Sequence, residues 1–333
     1  MKDPWGRIID YMRISITDRC NLRCKYCMPE GIDWIPMDEI LTLEEIAQVA
    51  SCGALLGIRH IKITGGEPLV RLGCCHLIRT LKQIPGIEKV TITTNGILLG
   101  QYLESLKQAG IDGINISLDT TDRCLFKKIT GTDGLEMVLE SLKQAVAMGL
   151  PVKVNAVSVD WDSWREDGQA GVAWKSLLEL ARTDPVDVRF IEMMPIGAGR
   201  DFPTVSHERL LTELKASYPG VKRDMKVHGF GPAVYYTIDG FRGSIGFISA
   251  IHGKFCDSCN RVRLTSQGYL KTCLCYEDGV DLRKILRADL PDREKRIRME
   301  QAMEEAILQK PIAHCFDDPG QITEHKGMSC IGG

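Results

Sequence analysis

The sequence predicts an α/β protein: a partial (β/α)6 TIM-like barrel over residues 1–200, then a smaller C-terminal α+β module over 201–333. Three observations carry this expectation. Six short, β-branched runs recur between residues 12 and 192, and helical stripes separate them. That alternation builds a parallel sheet. Six units fall short of the eight that usually close a barrel, so the sheet is expected to stay open. After Pro195, a run with two glycines and a proline (197–203) leads into a region of different patterning.

The elements follow in order. Met12–Thr17 (MRISIT) reads as the first strand. Thr42 and Glu45 form a capping box, and Ile46, Val49, Ala50, Ala54 and Leu55 continue it as a helical stripe. His60–Thr64 (HIKIT), Lys89–Thr94 (KVTITT), Gly113–Leu118 (GINISL), Val152–Val157 (VKVNAV) and Asp187–Glu192 (DVRFIE) are the next five strands. Helices are expected at 72–84, 102–109, 135–148 and 172–181. Pro85-Gly86 stops the first of these and Gly149 caps the third. Beyond residue 204 the pattern predicts a helix at 210–216, strands at 235–238 and 244–248, and a helix over 291–310 with an exposed charged face.

Hydrophobic residues make up 44% of the 333 and charged residues 26%, the balance of a globular protein. A net charge of −2 gives no global field for nucleic acid. No run approaches the ~18 apolar residues of a membrane span, and no secretory leader precedes Lys2, Asp3 and Arg7. A cytoplasmic location is therefore expected. In a reducing compartment, grouped cysteines mean metal more often than disulfides. Of 13 cysteines, six fall into two tight sets. For most of Cys52, Cys74, Cys75, Cys124, Cys275, Cys315 and Cys330 the expectation is a buried, small apolar side chain.

The first set is Cys20, Cys24 and Cys27, spaced C-x3-C-x2-C. Three thiolates from one loop can hold a four-iron cluster with one iron open. On spacing alone, zinc and an accidental cluster of cysteines remain alternatives. The second set is Cys256, Cys259 and Cys273, with Cys275 as a possible further thiolate and His252 near in sequence. Here a structural zinc site competes with a second cluster. Between these cysteines, strand alternation puts Arg261 and Arg263 on one face, where two guanidiniums suit a phosphate or polar base; a solvated strand face is the bland alternative.

The polar motifs of the first half all fall at C-terminal strand ends, where barrels of this kind carry their sites. They are the cysteine loop, Thr64-Gly65-Gly66-Glu67-Pro68, Thr94-Asn95-Gly96, Ser117-Leu118-Asp119 and Glu192-Met193-Met194-Pro195. Gly65 and Gly66 lack a Cβ, so the backbone there can approach a ligand closely. An ordinary βα turn would look the same in isolation.

The cysteine spacing, the aromatic Tyr26 before the last cysteine and the Gly-Gly-Glu-Pro run one strand later together resemble the S-adenosylmethionine (SAM) radical superfamily. The match narrows to the GTP 3′,8-cyclases of molybdenum cofactor biosynthesis. It is carried by Arg13, Thr93–Gly96, Ser117–Asp119, Lys153–Asn155, Glu192–Gly197, Gly246–Ser249, Phe255–Thr265, Cys273-Leu274 and Met328–Gly333, and spans residues 11–333. The resemblance implies two [4Fe-4S] clusters, one on Cys20, Cys24 and Cys27, the other on Cys256, Cys259 and Cys273. It implies SAM contacts from Tyr26, Gly65, Gly66, Glu67, Ser117 and Met194. It implies GTP contacts from Arg13, Lys62, Thr93, Lys153, Arg261, Val262 and Arg263, and a Gly-Gly tail reaching the site. A reductant, a homodimer and transfer of product to the next pathway enzyme are further implications.

The chain departs from the family pattern in three places. Lys62 stands where the family commonly has arginine and lacks the bidentate fork. Cys275 leaves the third thiolate of the second set undecided. Residues 160–171 match no family motif, and Trp161 and Trp164 read as local packing. Two other functions fit parts of the pattern. A peptide-modifying radical SAM maturase accounts for the first half but not for the Arg261/Arg263 pair. An iron–sulfur electron carrier would need no Gly-Gly-Glu-Pro run.

Overall fold

The computed structural model describes residues 1–29, 34–165, 172–202 and 204–331, and all six predicted strands are present. They are β1 (Tyr11–Ser15), β2 (His60–Thr64), β3 (Lys89–Thr94), β4 (Gly113–Ser117), β5 (Val152–Val157) and β6 (Asp187–Ile191). Each pairs in parallel with the next. The helices of this half are α1 (Leu43–Leu55), α2 (Cys74–Lys82), α3 (Leu99–Gln108), α4 (Arg123–Thr130), α5 (Leu135–Ala147) and α6 (Val172–Thr183). α1 starts at the capping box: the Glu45 N–H donates to Thr42 Oγ1, and the Thr42 N–H donates to the Glu45 carboxylate. The sequence reading places no helix at α4. Its signals are nevertheless there, with Asp122 accepting the Leu125 N–H at 2.8 Å and Gly131 ending the helix at φ 73°.

The second half contributes α7 (His207–Ser217), β7 (Lys222–Arg223), β8 (Val234–Thr237), β9 (Ile245–Ile248), β10 (Arg261–Leu264), β11 (Tyr269–Lys271), β12 (Gly279–Asp281), α8 (Leu282–Leu286), α9 (Asp292–Leu308) and α10 (Met328–Ile331). Its strands join the sheet of the first half. The order is β12-β11-β10-β1-β2-β3-β4-β5-β6-β9-β8-β7. β10 pairs in parallel with β1, and β9 with β6. Eight parallel strands therefore stand side by side among the described residues, flanked by the antiparallel strands β11–β12 and β8–β7. The presumed linker at 197–203 holds a short 3-10 turn, Gly197–Asp201.

β9 and β10 do not pair with each other among the described residues. Residues 249–260 join them. β9 ends at the C-terminal rim, whereas β10 starts opposite Tyr11 at the N-terminal rim. This strap therefore runs from the C-terminal rim back to the N-terminal rim.

Alternation along the strands sets the inside apart from the outside. Met12, Ile14, Ile61, Ile63, Val90, Ile92, Ile114, Ile116, Val154, Val188 and Phe190 pack outward into one apolar core with the helices. Burying side chains of this size contributes ~1.5–3 kcal/mol each. The intervening positions Arg13, Lys62, Thr93, Asn115, Lys153 and Arg189 line an interior cavity instead. No helix among the described residues is long and apolar enough to cross a membrane.

Candidate active site

The cavity holds about 700 Å³ and is walled by the inner face of the sheet. Register puts Arg263, Arg13 and Lys62 side by side on β10, β1 and β2. Like charges directly opposite one another across strands are unfavourable. Burial and then the nearby Arg189, Arg13, Arg261 and Lys153 hold the Lys62 ammonium well below its usual pKa. Those four come from β6, β1, β10 and β5, so the sheet curls until its inner face meets itself. Burial, with Arg261 and Arg189 adding to it, brings Arg13 down to about 10. Arg263 is pushed down by burial, Arg13 and Arg261. Such a cluster is an electrostatic vessel for a polyanion.

Lys153 donates to Asp187 Oδ2 at 2.9 Å, to the Tyr235 hydroxyl at 3.2 Å and to the His228 carbonyl. Arg189 donates to Asn155 Oδ1 at 2.9 Å. Arg189 was missed at the sequence level, although its signal is the one that marks Arg13, Lys62 and Lys153: a cation in the middle of a buried strand. Residues 226–233 also line the cavity, and nothing in their sequence marks them.

The first cysteine set caps the C-terminal rim of this cavity. Cys20, Cys24 and Cys27 are free thiols that line it. Burial raises all three, Cys27 to about 12, and each of Cys24 and Cys27 is raised further by other thiols of the set. The three therefore face a common space. Cys20 Sγ accepts the Leu22 N–H at 3.4 Å and lies 3.7 Å from the Asn95 side-chain amide. Soft sulfur donors with N–H···S bonds fit an iron–sulfur cluster. Among the described residues, no three His, Cys, Asp or Glu donors converge as a single ion requires. A cluster holds its ligands apart by its own width.

The turn after β2 braces the cysteine loop. The Gly66 N–H donates to the Thr17 carbonyl and the Glu67 N–H to the Arg19 carbonyl, each at 2.8 Å. A Cβ on Gly66 would stand 2.4 Å from the Arg19 carbonyl oxygen. Thus the glycine is needed first for close approach to the cysteine loop, although Gly65 and Gly66 both also line the cavity. Glu67 is fully buried and its carboxylate accepts from the Leu69 N–H, the Thr94 hydroxyl and the Asn95 N–H. Burial pushes its pKa up to about 7 against those bonds. It is not part of the cavity lining; it holds Asn95, whose side chain reaches Cys20.

α4 supports the other side of the loop, with its Thr130 and Ile129 carbonyls accepting the Arg23 and Lys25 N–H groups. The Tyr26 hydroxyl donates to Asp119 at 2.9 Å, and the Tyr26 ring packs against Trp161 and Phe202. Trp161 is buried and Trp164 stacks edge-on against it, so both tryptophans are packing. Residues 166–171 lie outside the described residues, as does the Gly332-Gly333 tail. Ser117 and Met194 line this rim, Thr93 the wall below.

The second set lies beyond Arg261 and Arg263, near the N-terminal rim. Burial raises Cys256 and Cys273, and their neighbours in the set add to the rise. Burial works in the same direction on Cys259, but Lys310, Arg261 and Arg263 outweigh it and hold this thiol below its usual value. None of the three lines the cavity, whose wall there is Phe255, Arg261 and Arg263. Cys275 faces elsewhere, its Sγ 3.0 Å from Cys315 Sγ in a separate apolar cluster with Phe316 and Ile331. The Val262 side chain is fully buried in the main core, so alternation leaves only the two arginines facing inward. The two sets thus flank opposite ends of β1, a five-residue strand roughly 17 Å long.

This fold and donor arrangement define a radical SAM protein with a second cysteine-held site. Residues 14–166 match the Radical SAM superfamily and residues 186–316 match Molybdenum Cofactor Synthesis C. The fold is similar to that of Streptococcus suis SuiB bound to S-adenosylmethionine, with a TM-score of 0.63 and 12% identity over 96% of this chain and 76% of that one. Two relatives named GTP 3′,8-cyclase, from Clostridium perfringens and Alkaliphilus oremlandii, are 40% and 41% identical, with 100% of both chains covered in each case. A third of that name, from Peptoclostridium acidaminophilum, is 41% identical over 99% of this chain and 98% of its own. The chain belongs to the GTP 3′,8-cyclase family.

Proposed function

We propose that this chain converts GTP to (8S)-3′,8-cyclo-7,8-dihydroguanosine 5′-triphosphate, the first step of molybdopterin biosynthesis, with release of 5′-deoxyadenosine and methionine. The observation that carries the reading is the cation-lined cavity between two separate cysteine sets. Cys20, Cys24 and Cys27 would hold a four-iron cluster at one end, and Cys256, Cys259 and Cys273 another at the other. When bound, the first cluster supplies the electron that splits SAM into methionine and a 5′-deoxyadenosyl radical.

The residues of this chain bind and orient. Gly65, Gly66, Ser117 and Met194 form the SAM rim, with Tyr26 and Glu67 bracing the loop behind it. Arg13, Lys62, Thr93, Lys153, Arg261 and Arg263 receive the triphosphate and the base, and Arg189 joins them. Holding C3′ of GTP near the radical makes the hydrogen transfer effectively unimolecular, and fixing the base over the ribose favours closure of C3′ onto C8. The curled sheet keeps water from the radical. The hydrogen atom leaves C3′ for the 5′-deoxyadenosyl radical, giving 5′-deoxyadenosine. The C3′ radical left behind bonds to C8, and one electron from the reductant and one proton complete the dihydro product. On this reading an external one-electron reductant serves the chain in the cytoplasm. It pairs as a homodimer and hands its product to the next pathway enzyme.

The test is anaerobic turnover of the reconstituted protein with SAM, dithionite and GTP. The reading expects 5′-deoxyadenosine that depends on GTP, together with a cyclised triphosphate of GTP. Recovery of GTP unchanged beside 5′-deoxyadenosine would remove the substrate assignment and leave the radical half standing.

A further inference from the structure

Two cations from outside the cysteine motif bracket the second set. Lys310 follows the end of α9 and is 4% exposed. Its ammonium donates to the Arg261 carbonyl at 3.0 Å and to the Thr272 carbonyl. Arg261 lies two residues after Cys259, and Thr272 immediately precedes Cys273. One side chain therefore bridges the two strands of the β10–β11 hairpin just beyond their last paired residues, Arg263 and Lys271, where the two ligand segments leave the ladder. Arg7 serves the remaining ligand, donating to the Cys256 carbonyl at 2.9 Å and to the carbonyls of Pro311 and Ile312.

The two cations differ in their surroundings. Arg7 has the Asp3 carboxylate 2.5 Å away. The partners that the described residues give the Lys310 ammonium are carbonyl oxygens. Carbonyls satisfy its N–H groups but leave its full charge unanswered. A buried charge without a counter-ion is strongly unfavourable. The sulfurs in electrostatic reach of this ammonium are those of Cys259 and Cys273. Lys310 is thus sited for an anionic group that those sulfurs bind.

We propose that Lys310 is the positioning residue and counter-charge of the second cluster. It fixes the spacing between the Cys259 and Cys273 segments. Its charge favours the reduced, more negative state of the cluster and so raises the midpoint potential, by the outer-shell route through which proteins tune such groups. The inference rests on the reading that the second set holds a cluster.

The experiment uses the full chain with Cys20, Cys24 and Cys27 replaced by alanine, so that only the second cluster is seen. Lys310→Met removes the charge and keeps the length of the side chain, while Lys310→Arg keeps the charge. Lys310→Gln gives a second uncharged variant should the methionine fold poorly, with circular dichroism as the check. Iron and sulfide content and an anaerobic potentiometric titration followed by electron paramagnetic resonance are read for each. The expected result is a lower midpoint in the uncharged variants, or loss of the cluster from them, and a midpoint near the parent's in Lys310→Arg. An unchanged midpoint in Lys310→Met overturns the proposal, as does an equal change in the charged and uncharged variants. If the parent itself takes up no iron, the cluster assignment fails first and this inference with it.

Discussion

Cys273 and Cys275 lie two residues apart, and only the first faces Cys256 and Cys259. Spacing cannot separate them, because the choice is made by Cys315, forty residues downstream. Cys273→Ser is expected to lose about half the iron of the reconstituted protein, whereas Cys275→Ser keeps all of it; iron and sulfide analysis decides. Glu67 is a second residue whose role depends on its surroundings. Its two oxygens accept three donors, so Glu67→Gln turns an amide N–H toward one of them. That costs ~1–3 kcal/mol. The folded pKa lies above the ordinary value, at about 7. Its stabilising contribution is therefore present at low pH and lost as pH rises through that value. The stability gap between the parent and Glu67→Gln should narrow from about pH 4.5 through 7, as urea melts at several pH values would show. Arg13 and Lys62 were legible because a charge inside an otherwise β-branched strand breaks the pattern. Val262 is of the opposite kind: an apolar residue between two inward-facing arginines, its side chain turned to the core.

At the scale of elements, the parallel strands β1–β6 were legible within a residue or two, since each carries a full alternating run between turn signals. α4 was overlooked because it is eight residues long and sits in a stretch already rich in turn residues. β9 and β10 span only four residues each, too short for periodicity to assign a partner, and their place beside β6 and β1 is a tertiary outcome. The C-terminal segment is tied down by a buried ion pair. Lys271 on β11 and Glu324 lie 2.5 Å apart with side chains 3% exposed. Removing one partner leaves the other charge buried, so Glu324→Gln is expected to cost ~3–5 kcal/mol. Anaerobic urea denaturation measures it. Loosening there should also disturb α10, whose Met328 and Ser329 line the cavity.

Over the whole molecule, a net charge of −2 hides a strongly cationic interior. The charge total averages a surface of paired ions with a cavity where like charges crowd. A polyanion should therefore stabilise the fold by itself. Inorganic tripolyphosphate at a hundredfold excess over its dissociation constant should add ~2.7 kcal/mol, read as a rise in the anaerobic melting temperature. Lys62→Met should shrink that rise without lowering the melting temperature of the free protein. The strap over 249–260 has a consequence for assembly. Every other junction in the wall from β12 to β7 is a ladder of backbone hydrogen bonds, and opening one would break several bonds together. The strap, which bears Cys256 and Cys259, is held by other means. The buried Glu192 carboxylate accepts the Ile251 and His252 N–H groups, Arg7 donates to the Cys256 carbonyl and the Tyr11 N–H donates to the Asn260 carbonyl. On the proposed reading, a cluster on Cys256, Cys259 and Cys273 would add a tie from this strap to the end of β11, a second fastening beside those hydrogen bonds. Amide exchange over 249–260 should slow sharply on loading while exchange in β2–β5 stays as it was. The metal then serves as the rivet of the reaction chamber as well as a tool within it.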